Sequence, residues 1–236
     1  MRAILVLLAM ILGGVAHGEE RVRASDYDAF WLWAGVKARP EVDAAKTVYL
    51  LQGEIGREGR DGAVRIKAQG GGGPGPHAAT LWLVYRVRSL DWPPEVVAEI
   101  NRRLALWRAA PGPVAGVEID FDASTRHLGD YREFLRALRA RLPDGCKLGV
   151  TGLMDWASQA SPEDLDKLGD VVDEIVFQTY RGRDTVNDID AYLARVGRVH
   201  VPFKLGLAES AAWSAPAALA DNPDFRGYVV FLHNPG

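Results

Sequence analysis

Cysteine is almost missing from this chain, which has one, Cys146, in 236 residues. A single thiol forms no intrachain disulfide, so the fold must rest on its apolar core. Cys146 itself, between Gly145 and Lys147, reads as a buried inert thiol. Long apolar runs are also lacking. The N-terminal one, Ala3 to Leu12, falls short of the roughly 20 residues a membrane-spanning helix needs. Positive charge is not in excess: 28 Lys and Arg stand against 31 Asp and Glu, a formal net charge of −3. That supplies no basic field for nucleic acid. Histidine is sparse and forms no His-x-His or His-Glu-x-x-His pattern, so no metal site is expected; Asp120, Asp122 and His127 are loose donors at most. No Gly-x-Gly-x-x-Gly follows the first strand, and the four-glycine tract before Pro74 lacks a following Lys-Ser/Thr. Neither a dinucleotide nor a phosphate cradle is read, and no cofactor is expected.

The chain start reads as a targeting segment. Arg2 precedes the apolar run, and the small residues Ala16 and Gly18 stand before Glu19. This is the pattern of a secretory signal peptide over residues 1–18, with a periplasmic or secreted remainder. No cysteine near the cut offers a lipid anchor, and no transmembrane segment is expected after cleavage. Residues 19–236 suit one large single-core domain.

Eight apolar runs of strand length follow: Phe30–Gly35, Thr47–Gly53, Thr80–Val87, Val114–Asp122, Lys147–Leu153, Glu174–Tyr180, Val201–Leu207 and Gly227–Leu232. Their near-continuous apolar character suits buried parallel strands. Helical spacing lies between the later ones. Val96, Val97, Ile100, Leu104 and Trp107 share a face over Pro94 to Ala109, and Phe134, Leu135, Leu138 and Leu142 do so over Tyr131 to Leu142. Ser161-Pro162-Glu163-Asp164 is a helix start. Val186 to Val196 and Pro216 to Leu219 are further helical candidates. The pattern predicts an α/β fold, a (β/α)8 TIM-type barrel, with an open α/β sheet as the other reading. Helices are short or missing in the first two βα units: only Pro40 to Ala45 separates the first two strands. The long connection after the second is loop, with room for a short strand at Ala63–Ala68.

The most informative stretch is G-V-E-I-D-F-D, Gly116 to Asp122. Alternate side chains of a strand share a face, so Glu118, Asp120 and Asp122 line one side and Val117, Ile119 and Phe121 the other. A row of like charges is costly unless it is used or neutralised. In a barrel of this kind the site lies at the C-terminal strand ends. Those ends supply Trp33, Gln52, Glu54, Tyr85, Arg86, Asp155, Gln178, Tyr180, Arg181, Lys204, Glu209, His233 and Asn234. Rings beside hydrogen-bonding groups are what a sugar requires. Glycosidic cleavage needs two carboxyl groups, and residues two apart on a strand are about 6.6 Å apart at the backbone, so spacing alone leaves retention and inversion both open. Asp122 is the candidate acid, Asp120 the neighbour that raises its proton affinity, and Glu118 the deepest, pairing with Lys204 or Arg86. Tyr180 joins these as a catalytic candidate. Trp33, Gln52, Tyr85, Gln178, Arg181, Lys204, Glu209 and Asn234 are the candidate substrate-binding residues. Trp156 and Trp213 are further rings, read first as packing. The bland alternative is a buried charge network with Lys204, Arg86 and Arg181.

The segments V-Y-L-L-Q-G-E, G-V-E-I-D-F-D, V-T-G-L-M-D-W, D-E-I-V-F-Q-T-Y-R-G and P-F-K-L-G-L-A-E resemble domain-of-unknown-function family 3142, a bacterial family. That resemblance implies an exported protein with a barrel-like fold and no assigned reaction. A more distant likeness is to the chitinase-like family-18 glycoside hydrolases, whose fourth strand reads D-G-x-D-x-D-x-E and whose sixth ends M-x-Y-D. Gly116, Glu118, Asp120 and Asp122 fall on the Gly, Asp, Asp and Glu positions, and Gln178 and Tyr180 on the Met and Tyr positions. Asp122 is shorter than the family's Glu, and Arg181 replaces the Asp after the tyrosine. The expected function is a glycoside-hydrolase-like action on a polysaccharide or cell-envelope glycan. The alternative is a glycan-binding or envelope interaction protein without turnover.

Overall fold

The computed structural model describes residues 20–234 apart from 34, 37–38, 70–79, 123–124, 154–155 and 157–158. The expected leader, the four-glycine tract, His77 and Asp155 lie outside the described residues.

Eight strands form the predicted closed parallel barrel: β1 Ala29–Leu32, β2 Thr47–Glu58, β3 Thr80–Val87, β4 Val114–Phe121, β5 Lys147–Gly152, β6 Glu174–Gln178, β7 Phe203–Ala208 and β8 Phe225–Phe231. Each pairs in parallel with the next, and β8 pairs with β1 to close the ring. Closure leaves no barrel edge to attract another chain. All eight apolar runs of the sequence are strands, with ends moved by a few residues. The expected short strand at Ala63–Ala68 is present and turns back antiparallel along the second half of β2.

The helices among the described residues include α1 Pro40–Asp43, α2 Pro94–Ala109, α3 Leu128–Arg139, α4 Pro162–Gly169, α5 Ile189–Val196 and α6 Ala217–Ala220. Among the described residues the first connection carries only the single turn of α1, as expected. α4 begins as its sequence dictates, with the Ser161 hydroxyl accepting from the Asp164 backbone N–H at 3.1 Å and Pro162 in the first turn.

Two apolar layers result from strand alternation. Val48, Leu83, Tyr85, Val117, Ile119, Leu148, Ile175, Phe177, Phe203, Leu205 and Val230 point outward against α2, α3, α4 and α5. Ala29, Trp31, Tyr49, Leu51, Trp82, Val84, Val176 and Val229 point inward and fill the barrel. Gly116 is required by close approach rather than by a turn: a Cβ there would meet the Lys147 carbonyl oxygen of β5 at 1.9 Å. The glycine opening the acidic motif is thus what lets β4 lie against β5. Cys146, just before β5, is buried, and burial raises its pKa.

Candidate active site

A cavity of about 830 Å³ opens at the C-terminal mouth of the barrel, within the usual size of a small-molecule site. Its floor and walls come from inward positions near the strand ends. β4 supplies Glu118 and Asp120, with Asp122 one residue beyond the strand; β1 supplies Trp31 and the following Trp33; β3 supplies Arg86; β6 supplies Gln178 and the following Tyr180.

Glu118 is fully buried. Its Oε1 accepts from the Trp31 indole N–H and the Thr151 hydroxyl, each at 3.1 Å. Its Oε2 has no partner among the described residues. Burial, then the charges of Glu174 and Asp120, hold its pKa well above the ordinary carboxyl value. Neither Lys204 nor Arg86 pairs with it, contrary to the sequence expectation: Lys204 lies deeper and Arg86 nearer the rim.

Asp120 is half-buried, two residues closer to solvent. Burial raises its pKa to about 6; Arg86 and a hydrogen bond from Thr151 oppose the rise, and Asp122 adds to it. Asp122 is largely exposed, with its Oδ2 at 3.5 Å from the Arg86 guanidinium. Arg86 also lies over the Trp33 ring, 5.1 Å from its centroid, which ties the rim carboxylate to an aromatic wall. That wall continues through Phe231, edge-on to Trp33 at 5.7 Å, stacked on Tyr180 at 5.7 Å and edge-on to His233 at 4.9 Å. Gln178 donates to the Tyr180 carbonyl at 3.1 Å.

The structure therefore brings Glu118, Asp120, Asp122, Tyr180, Trp33, Gln178 and Arg181 around one cavity. Five other candidates lie elsewhere. Gln52 faces outward: its side-chain oxygen accepts from the Trp107 indole of α2 at 2.8 Å. Tyr85 is also outward and buried, between Val84 and Arg86, which face the cavity. Lys204 points inward at the bottom of the barrel, where its Nζ is 3.2 Å from Glu174 and 2.8 Å from the Tyr49 hydroxyl. Glu209 is clamped by Arg39 at 2.6 and 2.8 Å, and Asn234 donates to the Gly35 carbonyl at 2.7 Å; both line a smaller side cavity of about 350 Å³. Trp156 and Trp213 are buried in the outer core, as packing predicts. Trp31, Thr151, Phe231, Arg183 and Val186, which are not among the sequence candidates, also line the main cavity. Parity flags three of them: Trp31 and Phe231 share their strand faces with chosen or inward residues, and Thr151 alternates with the outward Val150.

Among the described residues no group of three or more His, Cys, Asp or Glu is arranged to hold a metal ion, and no helix is long and apolar enough to cross a membrane.

The fold is thus a closed parallel (β/α)8 barrel with carboxylates and rings at its mouth. The chain itself belongs to the family described as Domain of unknown function (DUF3142), whose model matches residues 74–196. Among solved structures, a chitinase from Bacteroides thetaiotaomicron aligns at 12% identity and TM-score 0.52, covering 77% of this chain and 67% of that one. The xylanase and α-amylase inhibitor protein XAIP-II from Scadoxus multiflorus aligns at 10% identity and TM-score 0.52, covering 86% and 91%. The spore cortex-lytic enzyme SleL from Bacillus cereus aligns at 14% identity and TM-score 0.48, covering 80% of this chain; the chain spans 51% of that enzyme. At such identities the likeness is one of fold. No curated protein matches the chain.

Proposed function

We propose that this protein is an exported glycoside hydrolase acting on a polysaccharide or cell-envelope glycan, with Asp120 and Asp122 as its carboxyl pair. The observation that carries the reading is Asp120: a carboxyl in an aromatic-walled cavity whose pKa is raised to about 6. A general acid must hold a proton near working pH and still release it. Asp120, in the less polar environment, fills that part in place of Asp122, the acid the sequence pattern suggests, because Asp122 is largely exposed. Asp122, in water beside Arg86, is the second carboxylate, which activates water or meets the sugar carbon. Two carboxyls given different environments are the usual arrangement for such a division of labour. Glu118 sits beneath Asp120 as a positioning residue, and Trp33, Phe231 and Tyr180 offer faces for sugar rings.

A second reading, glycan binding without turnover, is favoured by the Arg86–Asp122 ion pair, which occupies the rim carboxylate. Fold does not choose between the two: one solved neighbour is described as a chitinase and another as an inhibitor protein.

The test is a glycan panel assayed for both binding and cleavage, with the parent, Asp120→Asn and Asp122→Asn proteins. Each substitution is expected to lower turnover by about 10²- to 10⁴-fold while binding is largely kept. Parent protein that binds but never cleaves supports the second reading. Variants that cleave like the parent remove Asp120 and Asp122 from the chemistry.

A further inference from the structure

The rim of the cavity carries positive charge that the acids below do not consume. Arg86 faces Asp122, and Arg39 is clamped by Glu209. Arg181 and Arg183 differ: both line the main cavity, both are exposed, and neither has an ion pair or side-chain hydrogen bond among the described residues. They lie on a tight hairpin after β6, in which Tyr180–Arg181 pairs antiparallel with Asp184–Thr185. Gly182 takes φ +64 at the first central position, where a type II′ turn needs a glycine. This short ribbon holds both guanidinium groups at the rim.

Arg183 also lines the side cavity, together with Arg21, Arg39, His233 and the carboxylates Asp184 and Glu209. It is close enough to His233 that its charge, after burial, helps lower the imidazole pKa. The two cavities thus adjoin at Arg183 and His233. The side cavity gathers residues that follow β1, β7 and β8, and β8 stands half-way round the barrel from β4. A ligand with one part at Asp120 and Asp122 therefore runs toward Arg181 and Arg183 and on to a side cavity where three arginines, Arg21, Arg39 and Arg183, outnumber two carboxylates, Asp184 and Glu209. The chain as a whole is net negative, so this cationic rim is local and not the spill-over of a basic protein.

We propose that the ligand of this site is an anionic saccharide, one carrying carboxylate or sulfate groups along its chain, and that Arg181 and Arg183 select it. Guanidinium suits both groups because its planar N–H pairs match two oxygens at once. The proposal rests on the glycan reading above and adds the substrate class to it.

Binding of four probes tests it: oligogalacturonate and κ-carrageenan oligosaccharides as carboxylated and sulfated ligands, and cello- and chito-oligosaccharides of matched length as neutral ones. Each is titrated against the parent, Arg183→Gln and the Arg181→Gln/Arg183→Gln double variant, at low and physiological salt. At least one anionic probe is expected to bind the parent about tenfold or more tighter than the neutral ones, with the gap narrowing as salt rises. The double variant is expected to lose about tenfold for that probe, the equivalent of about 1.4 kcal/mol, and to bind neutral sugars as the parent does. Which anionic probe responds tells carboxylate from sulfate. Neutral sugars that bind the parent as tightly as the anionic ones overturn the proposal and leave the glycan reading standing. So does a double variant that keeps anionic affinity or loses neutral affinity equally. Failure of all four probes to bind removes both. The substituted side chains are exposed, so the variants fold, and unchanged thermal melts verify it.

Discussion

Glu174 and Glu118 both lie inside the barrel and are provided for differently. Glu174, at the bottom, meets the Lys204 ammonium at 3.2 Å and a hydrogen bond from the Tyr49 hydroxyl, which itself accepts from Lys204. Glu118, nearer the mouth, has two neutral donors and an oxygen with no partner among the described residues. The next carboxyl up, Asp120, is perturbed in the same direction. The lower carboxylate is compensated as a structural group must be. The upper ones are left poorly compensated, a condition that costs stability and is typical of groups kept for chemistry.

That contrast can be attacked from its compensated side first. Lys204→Met leaves Glu174 a buried charge without its cation, and it is expected to destabilise the fold by about 3–5 kcal/mol, read by chemical denaturation at neutral pH. A much smaller loss would mean that the lower layer tolerates an unpaired carboxylate as well as the upper one does, and the contrast would dissolve.

The upper side should respond with the opposite sign. Folding raises the Asp120 pKa from its ordinary 3.8 to about 6, so the folded state keeps a proton that the unfolded chain releases. Stability then falls as pH rises from about 4 to about 6, and the loss is complete above that range. Asp120→Asn is expected to stabilise the fold at pH 8 by as much as about 3 kcal/mol, with no gain below pH 4, while turnover collapses. Thermal melts across that range check it; a flat difference between variant and parent would show that the carboxyl is not perturbed.

Thr151→Val removes a hydroxyl whose single hydrogen Glu118 and Asp120 share. It should cost about 1–2 kcal/mol. Because that hydrogen bond holds the Asp120 pKa down, its removal should move the activity midpoint upward from about 6, as a pH–rate profile would reveal. The smallest effect belongs to Tyr85→Phe. The Tyr85 hydroxyl is buried without a partner among the described residues, on the outward face. Stability should change by less than about 0.5 kcal/mol, with ligand affinity untouched. A drop in affinity would return Tyr85 to the site.

The errors of the sequence reading are as regular as its successes. Strands were legible because buried parallel strands are nearly continuous apolar runs, and all eight runs fall on the observed ones. The acidic face of β4 was legible because alternation gives it no other option. Gln52 and Tyr85 lie near strand ends, as the site requires, but each sits one residue out of phase with the inward set. Lys204 has the right parity and the wrong depth, since its place near the start of β7 puts it at the floor. Glu209 and Asn234 reach the rim, but their partners, Arg39 and the Gly35 carbonyl, come from far along the chain, where local pattern carries no signal. The hairpin bearing Arg181 and Arg183 is too short for hydrophobic periodicity to register.

That ribbon has an evolutionary corollary. It contributes no strand pairing to the ring of eight strands, so the two arginines at its turn can be exchanged while the carboxyls of β4 stay anchored in the sheet. Relatives that carry neutral or acidic residues in place of those arginines would accept other ligands without rebuilding the barrel.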